Sequence, residues 1–598
     1  MIKKSIIPYK IPILAVLAII ATVCGYQMWQ LPLWSHRPIV LFSAVWGFIM
    51  VALADKYSKL PKNGRYLSLA TLSGILLGLG FHISPLTPFM FVCFVPLLMI
   101  EQEIAAESEA TSKWEVFKYS YHAFVVWNII TTYWVANASS FAASLIAIWL
   151  NAFFMTVPFV LFHQTKKVMP RNFMYIAFIA NWLTWEYLHL RWEISWPWLT
   201  LGNSFAQYPS WVQWYEYTGV FGGSLWILLA NVLIFRWLAS PLWQEKTNIK
   251  KLNVLKISAL IILPIIGSLW RFQTYQSEGK EVEVVVVQPN YEPHYQKFEV
   301  SKFVQLDQFL KLSKSKLTQN TDYLVFPETS FDRIDRDRMN SLPVIEKLQA
   351  LIDEYPNLKL VMGVDAYQIF RKEVPKRRSI RQQKDRKTGK VFNWEAYNAA
   401  LQLASGSKDI QFYKKGRFVP GAEIFPYPDF FFFVTPIVSQ LGGTVAGLGT
   451  QERRIPFASK IGKVGAAICY ESVYGEFFNG YVRNGANAIF IITNDGWWDD
   501  TPGYQQHLKF ASLRAIETRK DIARSANTGT SAFINQKGEI LQATNYEEAV
   551  AIRGTVQFNE TKTFYVQWGD MIGRIAIYIF ALLILNTFVK GRLNKNKS

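Results

Sequence analysis

Three short stretches set an ionisable residue at the end of a β-branched run: LVFPETS with Glu328, YKKGRFVPGAE with Lys415 and Glu423, and VGAAICYES with Cys469. A thiol becomes a nucleophile when a base takes its proton, and an adjacent cation favours the thiolate. The carbonyl it attacks needs a donor for the oxyanion that forms. Glu, Lys and Cys meet these three needs without a histidine. Singly, each has an ordinary reading: a buried cysteine is a small hydrophobe, Glu328 a helix cap, Lys415 a solvated lysine. The combination is what points to acyl chemistry on a cysteine. Cys24, Cys93 and Cys469 are too few and too scattered for a disulfide framework or a zinc cage. No histidines stand at metal-ligand spacing, so no metal is expected.

Those three stretches need a scaffold that converges strand ends. β-Branched runs at Val282–Val287, Tyr323–Phe326, Leu358–Val364, Ala399–Leu403, Val464–Ile468 and Ala488–Ile492 read as strands. Amphipathic stretches at 300–316, 343–354 and 505–520 read as the helices between them. Strands apolar throughout, alternating with helices, predict an α/β sheet buried on both faces, with reactive groups at strand ends. The segment 371–390 is a solvated loop by composition.

The remainder is lipid-like. Hydrophobic residues make up 51% of the 598, aromatics 16% and charged residues 18%, which excludes a disordered chain. Apolar runs near 11–27, 38–54, 66–82, 84–100, 118–138, 142–162, 173–190, 219–236, 254–271 and 571–589 approach the length that crosses a ~30 Å hydrocarbon core. The run at 84–100 is interrupted by Pro85, Pro88 and Pro96. The first run lacks a cleavage site around Cys24 and reads as an uncleaved helix. Segments 1–10, 55–65, 163–172, 236–253 and 590–598 carry most of the net charge of +19. That bias places both termini in the cytoplasm, with the loop at 101–117 acid-rich instead. Residues 272–570 then form one domain on the far side. The basic excess reads as topology, and nucleic acid is not an expected partner. Glu186, in NWLTWEYLHLRWE, is an ionisable residue at the outer end of the seventh run; a functional role and a headgroup-level place among Trp182, Trp185 and Trp192 both remain open.

With these residues in view, the sequence resembles the nitrilase superfamily, whose Glu–Lys–Cys triad sits on an αββα sandwich. Several motifs narrow it to the apolipoprotein N-acyltransferase family: SWPWLTLGN at 195–203, the PE of Glu328, Tyr397-Asn398, the Y-x-K-x-x-F-V-P spacing at 413–420, ICYES, NDGWW at 494–498 and the QH…RAIE…R run from Gln506 to Arg519. The resemblance covers roughly residues 66–590. It implies Glu328 as general base, Lys415 as oxyanion stabiliser, Cys469 as nucleophile and the Tyr470 N–H as a second oxyanion donor. It implies Glu423 and Glu471 as supporting acids, with Tyr470, Asn398 and Trp497 lining the acyl site. Gly421-Ala422 departs from the usual Phe-Gly, and Phe298 stands where tryptophan is common in a substrate-recognising loop.

The implied architecture is a polytopic helical membrane domain plus an extracytoplasmic nitrilase-like domain. Its parts are two additional helices (1–65), a helix bundle (66–271), a periplasmic catalytic domain (272–570) and a final helix with a basic tail (571–598), in a bacterial inner membrane. The implied reaction moves an acyl chain from a membrane phospholipid, through a cysteine thioester, to the amine of an apolipoprotein's diacylglyceryl-cysteine, without a cofactor. A membrane-tethered amidase using water shares the triad and stays open as an alternative. A further expectation concerns 425–446: prolines, a Phe430–Val434 run and glycines read as a lid dipping into the outer leaflet.

Overall fold

The computed structural model describes residues 9–57, 61–81, 85–107, 112–138, 141–170, 173–239, 247–386, 389–431 and 447–595. Each apolar run falls on helix. In order these are α1 (Lys10–Gln30), α2 (Arg37–Ala52), α3 (Pro61–Phe81), α4 (Val95–Ala106), α5 (Ser112–Thr132), α6 (Phe141–Lys166), α7 (Met174–His189), α8 (Val220–Leu238), α9 (Thr247–Thr274) and a last helix at Met571–Lys595. The run at 84–100 is not one helix. A 3₁₀ turn at Thr87–Phe91 precedes α4, and Pro96 sits in the first turn of α4, where its missing N–H has no helical partner to lose. Among the described residues, seven helices are long and apolar enough to cross a membrane. Trp29, Leu263 and Tyr578, at 85%, 63% and 73% exposed, belong to the apolar surface that a bilayer covers.

One end of the bundle collects the basic loops. Lys62 pairs with Glu107 at 2.6 Å and Arg65 with Glu103 at 2.6 Å, so acids at the end of α4 neutralise bases in the first turns of α3. Lys590 donates to Val168 O at 2.9 Å, which brings the C-terminal helix to the same end.

The α/β domain hangs from the opposite end. Its strands are β1 (Lys280–Gln288), β2 (Tyr323–Val325), β3 (Phe331–Asp335), β4 (Lys359–Phe370), β5 (Arg381–Lys384), β6 (Val391–Ala404), β7 (Gln411–Lys414), β8 (Phe457–Ser459), β9 (Gly462–Ile468), β10 (Ala488–Thr493), β11 (Ile522–Ala526), β12 (Ala532–Ile534), β13 (Ile540–Ala543) and β14 (Val550–Phe558). One sheet runs β14-β1-β2-β4-β6-β5, with β3 beside β4 and β7 beside β6; the other runs β13-β12-β11-β10-β9-β8. Helices α10 (Lys302–Lys314) and α11 (Pro343–Asp353) cover the first sheet, and α12 (Gly475–Arg483) and α13 (Pro502–Thr518) lie on the second. This is an αββα sandwich. Tyr323 of one sheet meets Phe490 of the other edge-on at 5.2 Å.

Burial explains which elements the sequence marks clearly. In α11, Val344, Ile345, Leu348, Leu351 and Ile352 form one buried stripe. Helix α13 is buried nearly all round, because the membrane helices close over its second side. There Trp198 donates to Gln506 Oε1 at 2.6 Å and Glu517 Oε1 accepts from Val220 N at 3.1 Å. Lys280 of β1 lies opposite Phe558 of β14, so the chain enters the sheet after α9 and leaves it before the final helix at the same end of this strand pair. The segment 371–390 is not wholly loop: Arg381–Lys384 pairs with Val391–Trp394 as an exposed hairpin.

Candidate active site

Each candidate residue follows a strand that brings it to one place. Glu328 lies just beyond β2, in a turn that β4 approaches closely; a Cβ on Gly363 would fall 2.6 Å from Glu328 Cα, so only glycine fits there. Lys415 follows β7, and its N–H donates to Asn398 O at 2.9 Å across the β6–β7 pair. Cys469 ends β9 in the left-handed region, at φ +48°, as the chain turns into a 3₁₀ helix. A non-glycine residue there is held by its surroundings, a situation common at functional sites.

Lys415 Nζ donates to Glu328 Oε1 at 2.9 Å and to Glu423 Oε1 at 2.8 Å. Asn398 Nδ2 reaches the same two oxygens at 2.8 and 3.1 Å. The second oxygen of Glu423 accepts from Val419 N at 2.8 Å. Glu328, Lys415 and Cys469 are all buried. Burial alone would raise the Glu328 pKa, but Lys415 first, then Asn398 and Lys297, outweigh it and leave the carboxyl below its ordinary value. Burial would likewise discharge Lys415, yet Glu328, Glu423 and Cys469 hold its pKa well above the usual lysine range. The Cys469 thiol is shifted upward too. Burial and the Glu328 charge raise it well above its ordinary value, against the pull of Lys415. These shifts favour a neutral thiol beside a charged Glu328–Lys415 pair.

Glu471 stands behind this group, not in it. Its Oε1 accepts from Gly416 N at 2.6 Å and Tyr413 OH at 2.8 Å, and its Oε2 from Ile468 N and Tyr481 OH, both at 2.8 Å. One carboxylate thus ties the loop that carries Lys415 to the turn that carries Cys469.

A family model for the apolipoprotein N-acyltransferase N-terminal domain matches residues 73–233, and one for carbon-nitrogen hydrolase matches residues 284–564. The apolipoprotein N-acyltransferase of Chlorobaculum tepidum is 28% identical over 539 residues, covering 88% of this chain and 97% of its own. That of Geobacter metallireducens is 25% identical over 524 residues, covering 84% and 91%. The chain resembles the apolipoprotein N-acyltransferases along most of its length. Among solved structures, Nit3 of Saccharomyces cerevisiae, a nitrilase-superfamily member, aligns with 47% of this chain and 92% of its own at 16% identity and a TM-score of 0.33.

The remaining expected residues lie around Glu328, Lys415 and Cys469 in different directions. Tyr470 points to the membrane domain, donating to Ser195 O at 3.1 Å, while Ser195 Oγ and Tyr474 OH are bonded at 2.7 Å. Glu186 accepts from Trp182 Nε1 at 3.1 Å and Leu201 N at 2.8 Å, so it pins the 195–203 loop that Tyr470 touches. Trp497 and Phe298 form an aromatic group of their own, with rings 6.4 Å apart and His294 edge-on to Trp497 at 5.2 Å. Phe298 is 60% exposed. Beside it, a cavity of about 260 Å³ opens between the 297–302 and 329–333 segments. Of the lid expected at 425–446, residues 432–446 lie outside the described residues. Its stem is fastened to the membrane domain: Tyr427 N donates to Glu193 Oε2 at 2.6 Å, and Tyr427 OH accepts from Glu193 N at 3.1 Å.

Two features were not expected from the sequence. Lys297 is buried and donates from Nζ to Glu328 O at 3.2 Å and Thr329 Oγ1 at 2.5 Å; burial, set against the Asp365 and Glu328 charges, lowers its pKa to about 8. Asp495, His507 and Arg524 form a buried network behind Cys469. Asp495 takes His507 Nδ1 at 3.0 Å and Arg524 at 2.5 Å, and His507 Nε2 lies 2.9 Å from Ser472 Oγ and 3.3 Å from Cys469 O. The NDGWW and QH motifs were the available signal, but their contact is visible only in the fold.

Proposed function

We propose that the protein transfers an acyl chain from a membrane phospholipid, through a thioester on Cys469, to the N-terminal amine of the diacylglyceryl-cysteine of apolipoproteins. The observation that carries this is the buried Glu328–Lys415 pair with the half-buried Glu423 at the turn of Cys469, seated on a bundle of membrane helices through Tyr470 and Ser195. A hydrolase of small polar amides has no need of that seat.

In the first step Glu328 takes the thiol proton as Cys469 Sγ bonds to the acyl carbon of the ester. Charge develops on the carbonyl oxygen, where Lys415 and the Tyr470 N–H stabilise it. The ester C–O bond then breaks, and the lysophospholipid oxygen leaves with the proton from Glu328. In the second step the lipoprotein amine attacks the thioester carbon and Glu328 receives its proton. The C–S bond breaks, the proton returns to the Cys469 sulfur, and the amide is released. Glu423 keeps Lys415 aimed, and exclusion of water favours the amine over hydrolysis.

In this reading the basic end of the bundle, with both termini, faces the cytoplasm, and the α/β domain faces the periplasm of an inner membrane. Support comes from the lysines and arginines gathered at one end.

The test is to supply purified protein with phospholipid vesicles and a synthetic peptide bearing diacylglyceryl-cysteine. Gain of one acyl mass by the peptide, absent with Cys469→Ala, is the expected result. Release of free fatty acid at the same rate with and without peptide would instead make the protein a hydrolase.

A further inference from the structure

The outer turn between α1 and α2 is bonded to the α/β domain. Ser35, in the left-handed region at φ +50°, donates its N–H to Asp499 Oδ2 at 2.8 Å. Asn137 donates from one nitrogen to Ser35 O and to Trp498 O, each at 3.2 Å. His36 is hydrogen-bonded through Nδ1 to Tyr133 OH, which fixes the turn just past α5. Asp499 is itself left-handed, at φ +57°, and its other oxygen accepts from Asp500 N at 2.7 Å. A backbone held in that region persists only where its surroundings over-determine it, and the Ser35 N–H is part of them. From Asp499 the contacts lead straight to the nucleophile. The Trp498 ring is edge-on to His507 at 5.3 Å, and His507 Nε2 lies 3.3 Å from Cys469 O.

Resting on the acyl-transfer reading above, we propose that the α1–α2 hairpin is a positioning element for that reaction: its outer turn clamps Asp499, and so holds the Trp497–Trp498 turn and the His507 support of Cys469. Ser35 and Asp499 are positioning residues in this scheme, since neither meets the reacting atoms. The α1–α2 hairpin thereby gains a role in the reaction.

The test measures single-turnover acylation of Cys469 in the full-length protein with phospholipid vesicles. Ser35→Pro removes the N–H and cannot adopt a positive φ; Asp499→Ala removes its acceptor. Each is expected to slow the maximal rate by about 10- to 100-fold, the scale of a small misplacement of a reacting group. The half-saturating phospholipid concentration and the Tm should stay at wild-type values. Asp499→Asn, which keeps one oxygen, should recover most of the rate. The double variant should be no slower than the slower single one, because both break one bond. Acylation by Ser35→Pro at the wild-type rate, or losses that multiply in the double variant, would overturn the inference. If Ser35→Pro lowers the Tm, Asp499→Ala decides, because it breaks the same bond and leaves the Ser35 backbone unchanged. Slowed acylation in Asp499→Ala with recovery in Asp499→Asn supports the clamp, and a wild-type rate in Asp499→Ala removes it. A wild-type protein that forms no adduct at all would instead count against the acyl-transfer reading.

Discussion

The Glu471 carboxylate accepts the Gly416 N–H at 2.6 Å, one residue past Lys415, while its other oxygen accepts from Ile468 N, one residue before Cys469. Lys415 and Cys469 follow strands of different sheets, β7 and β9. Their spacing therefore depends on this acid, which touches neither.

Glu471→Gln should slow acylation without unfolding the domain. An amide turns one of its two acceptor positions into a donor facing donors, and a buried unsatisfied group costs about 1–3 kcal/mol. Acylation rate and Tm, measured on the same preparation, check this. A wild-type rate would show that the two loops hold their spacing without the acid.

Glu328→Gln should have opposite effects on two readouts. The Glu328 charge is among the causes that raise the Cys469 pKa, and it pairs with the lysine that would lower it. Removing that charge favours the thiolate, so alkylation of Cys469 at neutral pH should become faster. Acylation by phospholipid should nonetheless stop, because no base remains to pass protons. Slower alkylation in the variant would mean that Glu328 does not face the thiol.

Lys415→Ala should lower acylation by about 10²–10³-fold, the usual consequence of losing one oxyanion donor. Its neighbour provides the control. Lys414 points to the other side of β7, with Nζ 3.9 Å from the centre of the Tyr397 ring. Lys414→Ala should acylate at the wild-type rate, and a reversed ranking would exchange the two assignments.

Lys297→Met should move the acid limb of the pH–rate profile to higher pH. Lys297 is one of the charges that hold the Glu328 pKa down. Without it Glu328 binds its proton more tightly, so the base form is lost at a higher pH as the solution is acidified. An unmoved limb in Lys297→Met would remove Lys297 from the electrostatics of the site.

Much of this architecture is legible in the residues. The central strands are fully buried and β-branched, as at Val284–Val287, and the membrane helices are long apolar runs. Glu328, Lys415 and Cys469 stand out because each follows such a strand or a recognisable motif. What was hidden follows from physics that composition does not carry. Strand β5 is polar and exposed, held by its pairing with β6 and by no apolar pattern. Lys297 looks like any lysine until its Nζ is found buried against the backbone of Glu328. Asp495 meets Arg524 across 29 residues, and Asp499 meets Ser35 across 464. Contacts at that separation leave no local periodicity to read.

The central claim is a covalent acyl-enzyme on Cys469, and intact-mass measurement tests it most directly. Purified protein incubated with phospholipid and no acceptor should gain one acyl chain, which hydroxylamine removes and Cys469→Ala prevents. An adduct that persists in Cys469→Ala, or an unmodified wild-type protein that still acylates acceptor when it is added, would contradict the thioester mechanism.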